Sequence, residues 1–137
     1  MAEPYSRLEK LRLRILAGKL LGQTYYDVRF RSYSDWSVFL KKSDRTRELT
    51  NEDIVRAAYL CAVVRRISRV FGDRVTCIVK TVAAKKVLAI QGIESDVILG
   101  VPKAGVIHED GWQAHAWLVV GGRVMIGGPE SRLYKSL

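Results

Sequence analysis

At 137 residues the chain suits one domain with a real core, and 48% hydrophobic and 27% charged residues exclude a disordered tail. No apolar run approaches the roughly 18–20 residues that a bilayer-spanning helix needs. Arg12, Arg14 and Lys19 interrupt the N-terminal segment that a secretory signal would require, so a cytoplasmic protein is expected, with Cys61 and Cys77 as reduced thiols. The net charge of +9 is spread along the chain, because residues 1–50 hold 11 basic and 6 acidic side chains and residues 51–137 hold 12 and 8.

Residues 6–21 place Leu8, Leu11, Ile15, Leu16 and Leu20 at helical spacing among Arg7, Lys10, Arg14 and Lys19. The pattern predicts an amphipathic helix docked by that stripe on the fold, on a partner or on a membrane surface. The next segment reads two ways. Tyr26, Val28 and Phe30 alternate as in a strand, and Ser34 is placed to cap a short helix holding Trp36 and Phe39. These aromatics do not alternate with basic residues on one sheet face, as a base-stacking surface would require, and read as core.

Thr50 followed by Asp53 is the signature of a capping box, and it opens a helix that buries Ile54, Ala57, Cys61, Val64, Ile67 and Phe71 and stops at Gly72. Cys61 on that face reads as a small core residue. Between Arg56 and Lys86, eight basic side chains (Arg56, Arg65, Arg66, Arg69, Arg74, Lys80, Lys85 and Lys86) face only Asp73 among acids. They form either solvated helix faces or a surface that attracts an anionic partner.

A third helix follows from Cys77, with Val79, Val82, Ala83, Val87 and Ile90 as its apolar stripe and Gly92 as its stop. Residues 95–101 are a β-rich run and residues 102–112 a Pro/Gly loop. The run from Ala114 to Val120 then turns through Gly121-Gly122 into a second strand, a hairpin signal.

Cys77 and His115, 38 residues apart, carry the chemistry that this layout offers. A helix N-terminus presents unpaired N–H groups and the positive end of the dipole, which favour a thiolate. An imidazole beside such a thiol pairs with it and later protonates a leaving amine. Alternation sets His115, Trp117 and Val119 on one strand face and Ala116, Leu118 and Val120 on the other, and the flanking alanines leave room for the ring. The backbone N–H of Cys77 is a candidate oxyanion donor. No zinc spacing joins the cysteines with His108 or His115, and no phosphate-cradling glycine motif is present, so neither a metal nor a cofactor is expected.

The stretch from Thr76 to Gly128 resembles the transglutaminase-like core of lasso-peptide leader peptidases. The pieces that carry the resemblance stand in order: Cys77 opening a helix with basic residues, Gly92-Ile93, a strand ending in Gly100-Val101, Lys103, then Ala114-His115-Ala116-Trp117 and Gly121. The resemblance implies an α+β fold of papain/transglutaminase type. A helix bearing the cysteine packs on a small antiparallel sheet bearing the histidine, preceded by N-terminal helices. It implies one domain over residues 1–137, with 1–72 mainly helical and 73–137 the catalytic core, in the separate form of the bacterial peptidase.

The implied activity is removal of the leader from a ribosomally made lasso-peptide precursor, with Cys77 as nucleophile and His115 as general base and acid. The implied partners are the precursor leader peptide, a separate leader-recognition protein, the lasso cyclase, and a peripheral membrane or exporter contact, with no nucleic acid. The family pattern places an acidic residue shortly after the histidine strand. Here Gly127 and Gly128 stand at that place, leaving Glu130 as the nearest carboxylate and Glu109 and Asp110 as alternatives. Trp112 and Trp117 are the candidate substrate-groove aromatics, with Trp117 also read as a core wall. Two rival readings remain beside this one: a thiol acyltransferase using the same acyl-enzyme, and a non-catalytic basic module that binds nucleic acid or protein.

Overall fold

A computed structural model of the chain describes residues 4–32, 34, 48–72, 75–102, 115–127 and 134–136. Within them three helices, α1 (Arg7–Phe30), α2 (Asn51–Phe71) and α3 (Cys77–Ile90), precede four strands, β1 (Asp96–Pro102), β2 (His115–Val120), β3 (Arg123–Ile126) and β4 (Tyr134–Ser136). A hydroxyl caps each of these helices. Ser6, Thr50 and Thr76 accept from the N–H of Glu9, Asp53 and Val79, and the Asp53 carboxylate returns the bond to the Thr50 N–H at 3.0 Å, completing the expected box.

α1 departs from the sequence reading twice. It continues to Phe30, so Tyr26, Val28 and Phe30 lie on a helix and not on a strand, with the Tyr26 and Phe30 rings 5.2 Å apart one turn from each other. Its last turns are held against α3, where the buried Lys86 ammonium donates to Thr24 Oγ1 at 3.1 Å and lies 3.7 Å from Asp27 Oδ2. The expected stripe faces inward only in part, at Leu16 and Leu20. Leu13, Ala17, Leu20, Leu21 and Thr24 are buried, whereas Leu8, Leu11 and Ile15 are more than half exposed. α1 carries two apolar stripes, and the one with small residues faces inward because Ala17 and Gly18 let the neighbouring helices approach. The short helix expected after Ser34 falls on residues 35–47, outside the described ones.

The stripes predicted for α2 and α3 do face the core, except that Ile90, on the last residue of α3, is 60% exposed. α3 is the centre of the molecule. It packs against α1, α2, β1 and β2, and no residue of it before Ala89 is exposed. Each fully buried Val or Leu there and around it removes apolar surface worth roughly 1.5–3 kcal/mol.

The sheet has the order β3-β2-β1-β4 with every pair antiparallel. Gly121 and Gly122 form the β2–β3 turn at φ 56° and 80°, the two positive values that a two-residue hairpin of this twist requires. β4 has no counterpart in the sequence reading, since three residues carry no readable periodicity. It adds to the free edge of β1.

The basic run of residues 56–86 is not one solvated face. Arg56 donates to Tyr5 Oη and to the Gln91 carbonyl, Arg65 to the Met125 carbonyl, and Lys85 to the Ser95 carbonyl, while Lys86 is buried. Arg66 and Arg69 are exposed. Half of the run thus ties elements together.

Cys61 lies in the core, 1% exposed, and burial pushes its thiol from 9.0 up to about 12. A raised folded value means that the unfolded chain loses this proton first as pH climbs. The resulting stability is complete below about pH 9 and is lost between there and about pH 12. Denaturant unfolding at pH 8 and pH 10.5 should show the wild type losing on the order of 2 kcal/mol more than Cys61→Ala over that interval. Equal losses in the two proteins would contradict a buried, neutral thiol.

Candidate active site

Thr76 caps α3 and makes Cys77 its first residue, half-buried at the helix N-terminus. The first turn is tightened by Thr81, whose hydroxyl donates to the Cys77 carbonyl at 2.6 Å. The helix ends in a short reversal. Gly92 takes φ 76°, the Ile93 N–H donates to the Leu88 carbonyl, and Ile93 is fully buried. Two side chains from different helices latch this turn: Arg56 on the Gln91 carbonyl at 3.3 Å and Lys85 on the Ser95 carbonyl at 2.6 Å.

β1 follows this reversal and packs against α3. Gly100, two residues before the end of β1, pairs with His115, the first residue of β2. α3, whose first residue is Cys77, packs on β2, whose first residue is His115.

His115 is buried, 6% exposed, and its ring stacks on that of Trp117 at 5.9 Å between centroids and 27° between planes. Ala116, Leu118 and Val120 point to the opposite face, where Leu118 and Val120 join the core. The alternation read from the sequence thus holds. Trp117 is 8% exposed, so it packs beside the histidine as a wall. Trp112, Glu130, Glu109, Asp110 and His108 lie outside the described residues.

The two thiols differ in kind. Cys61 is a core residue held neutral by burial, and Cys77 sits at a capped helix start with partial access to solvent. Among the described residues no group of three or more His, Cys, Asp or Glu side chains is gathered as a metal site would need, and no helix is long and apolar enough to cross a membrane. Two residues that bear on the histidine escape the sequence reading. Gly127 approaches the His115 ring closely, and Arg65 holds the β3 backbone at Met125, two residues before it. The first gives no signal beyond a Gly-Gly pair, and the second is one cation among eight.

Comparison with known proteins bears on the whole arrangement. The family model of the transglutaminase-like superfamily matches residues 20–136, a range that runs from the middle of α1 to the end of β4 and includes both Cys77 and His115. No match is found among curated proteins or among solved structures. Members of the superfamily are typically cysteine proteases or acyltransferases. With a helix-borne cysteine packed on an antiparallel sheet that bears the histidine, and a family match over most of its length, this chain belongs to the transglutaminase-like superfamily.

Proposed function

We propose that the chain is a cysteine peptidase that removes the leader from a ribosomally made lasso-peptide precursor. The observation that supports the reading is a cysteine on the first residue of α3 and a histidine on the first residue of β2, the strand that α3 packs on, in a superfamily whose members are commonly cysteine-dependent enzymes. The finer assignment to lasso precursors rests on the Thr76–Gly128 resemblance, above all the Ala114-His115-Ala116-Trp117 segment ahead of its glycine turn.

In this mechanism His115 takes the Cys77 thiol proton, and the sulfur attacks the carbonyl carbon of the scissile peptide. The resulting oxyanion is received by N–H groups at the α3 N-terminus, including that of Cys77. Collapse of the tetrahedral intermediate breaks the C–N bond. The imidazolium gives its proton to the departing amine, leaving the leader as a thioester on Cys77. Water, deprotonated by His115, then attacks the thioester and releases the leader carboxylate and the thiol. Glu130 is assigned the orienting carboxylate, and Trp112 and Trp117 the groove walls.

The freed amine is the nucleophile that a lasso cyclase would join to a side-chain carboxylate, and a separate leader-recognition protein would deliver the precursor. An acyltransferase shares every step up to the thioester and differs only in using an amine in place of water. Product masses separate the two.

Incubation of the chain with a lasso precursor and its leader-binding protein should yield two fragments whose masses sum to precursor plus one water. Cys77→Ala should yield none, and His115→Ala should be slower by at least about a hundredfold. Fragments formed equally by Cys77→Ala would overturn the reading.

Exposed Arg66 and Arg69, with Arg12, Arg14 and Lys19 on α1, give the helical side a cationic surface suited to an acidic leader or partner. Raising ionic strength from about 0.05 M to about 0.3 M should weaken partner binding severalfold, and Arg66→Ala/Arg69→Ala should flatten that dependence. Binding that ignores salt in both proteins would remove the surface from the account.

A further inference from the structure

We propose that Gly127 is a positioning residue for His115, delivered to the imidazole by a β-bulge at Met125 that Arg65 anchors. The inference rests on the peptidase reading above only for its kinetic consequence; its geometry stands on the hairpin itself.

The β2–β3 pairing starts in register, with Val120 opposite Arg123 and Val119 opposite Val124, and then slips, because Leu118 pairs with Ile126. Met125 is the extra residue. Its effect is to change faces. In an unbroken ladder position 127 would fall opposite Ala116, on the side turned to the core. With one residue inserted it falls opposite Trp117, on the side that carries His115.

Contacts at Gly127 agree with this rephasing. A Cβ built there would stand 3.1 Å from His115 Nε2, 3.0 Å from Trp117 Cβ and 3.0 Å from the Ala116 carbonyl oxygen. Few real Cβ atoms approach backbone or ring atoms so closely, and φ of 80° at this position is itself a glycine conformation. Only a residue without a side chain lets the strand close on the imidazole edge. The ring is thereby held between the Trp117 ring, 5.9 Å away, and the Gly127 backbone.

The bulge has its own support. The Arg65 guanidinium, reaching from α2, donates to the Met125 carbonyl at 2.7 Å. That bond satisfies a carbonyl of the residue that the ladder leaves unpaired, and it ties the bulge to a helix whose opposite face lies in the core. Position 65 thus bears on the histidine through two intermediates, the bulge and Gly127.

The hairpin contains its own control. Gly122 has the same φ of 80°, yet a Cβ there meets nothing within 4 Å. Alanine at 122 and at 127 therefore imposes similar backbone strain, and only the second pushes on the ring.

The test uses the full chain as wild type, Gly122→Ala, Gly127→Ala and Arg65→Met, each checked for folding by circular dichroism. The His115 ring nitrogens are titrated by NMR, and kcat and KM for precursor cleavage are measured across pH. In Gly127→Ala the His115 titration midpoint should move by at least about half a pH unit. In the same variant kcat should fall at least about tenfold with KM nearly unchanged. Gly122→Ala should match the wild type in both.

A folded Gly127→Ala protein whose ring titration and kcat coincide with those of Gly122→Ala overturns the proposal. If Gly127→Ala does not fold, Arg65→Met decides: the same ring resonances should shift by a smaller amount, and unmoved resonances overturn it. The ring titration needs no peptidase activity. A wild type without Cys77-dependent cleavage would end the functional reading while leaving the clamp to be judged on the NMR result alone.

Discussion

Burial of α3 on every side is the constraint on which the rest of the structure depends. Val79, Val82, Ala83, Ala84, Val87 and Leu88 fill the space between the two outer helices and the sheet, and even Lys86 is enclosed, satisfied by Thr24 and Asp27 of α1. A helix held by four neighbouring elements has no freedom to rotate or slide. Whatever stands at its first residue is therefore fixed in space, and that residue is Cys77. The charged pair from Lys86 to Asp27 adds register to the packing, because it can form at only one axial setting of α1 against α3.

The chain after α3 is held as firmly as the helix. Gly92, Ile93 and the two latches from Arg56 and Lys85 hold the turn from α3 into β1, and antiparallel pairing seats the start of β2 beside the far end of β1. Cys77 at a helix start and His115 at a strand start thus both stand on packed elements. The two cations that hold the turn, Arg56 and Lys85, come from the same basic run that would otherwise read as surface charge.

Much of this is readable from the residues. Thr50 with Asp53 announces one helix start, Gly121-Gly122 announces the hairpin, and the alternation after Ala114 assigns His115 its face. What escapes does so for physical reasons. On α1 the outer leucines look more like a core stripe than the inner row of Leu13, Ala17 and Thr24, since hydropathy spacing undervalues small residues that let helices approach. The strand reading of Tyr26 to Phe30 fails because a tertiary anchor at Thr24 and Asp27 extends the helix past a locally ambiguous stretch. The bulge at Met125 is hidden because either register of residues 123–127 gives a plausible alternation. Arg65 and Lys86 are hidden because a charge in a sequence says nothing about whether it meets water or a polar partner within the fold.

The central claim is that Cys77 forms a covalent acyl intermediate with help from His115. Acid-quenching the chain during turnover of a lasso precursor and mapping the adduct by mass spectrometry tests it most directly. The account predicts a species heavier by the leader acyl group, attached at Cys77 and regenerated to free thiol as the leader carboxylate appears. Leader release that proceeds with the Cys77 thiol alkylated beforehand, and with no adduct on it at any time, would contradict the account.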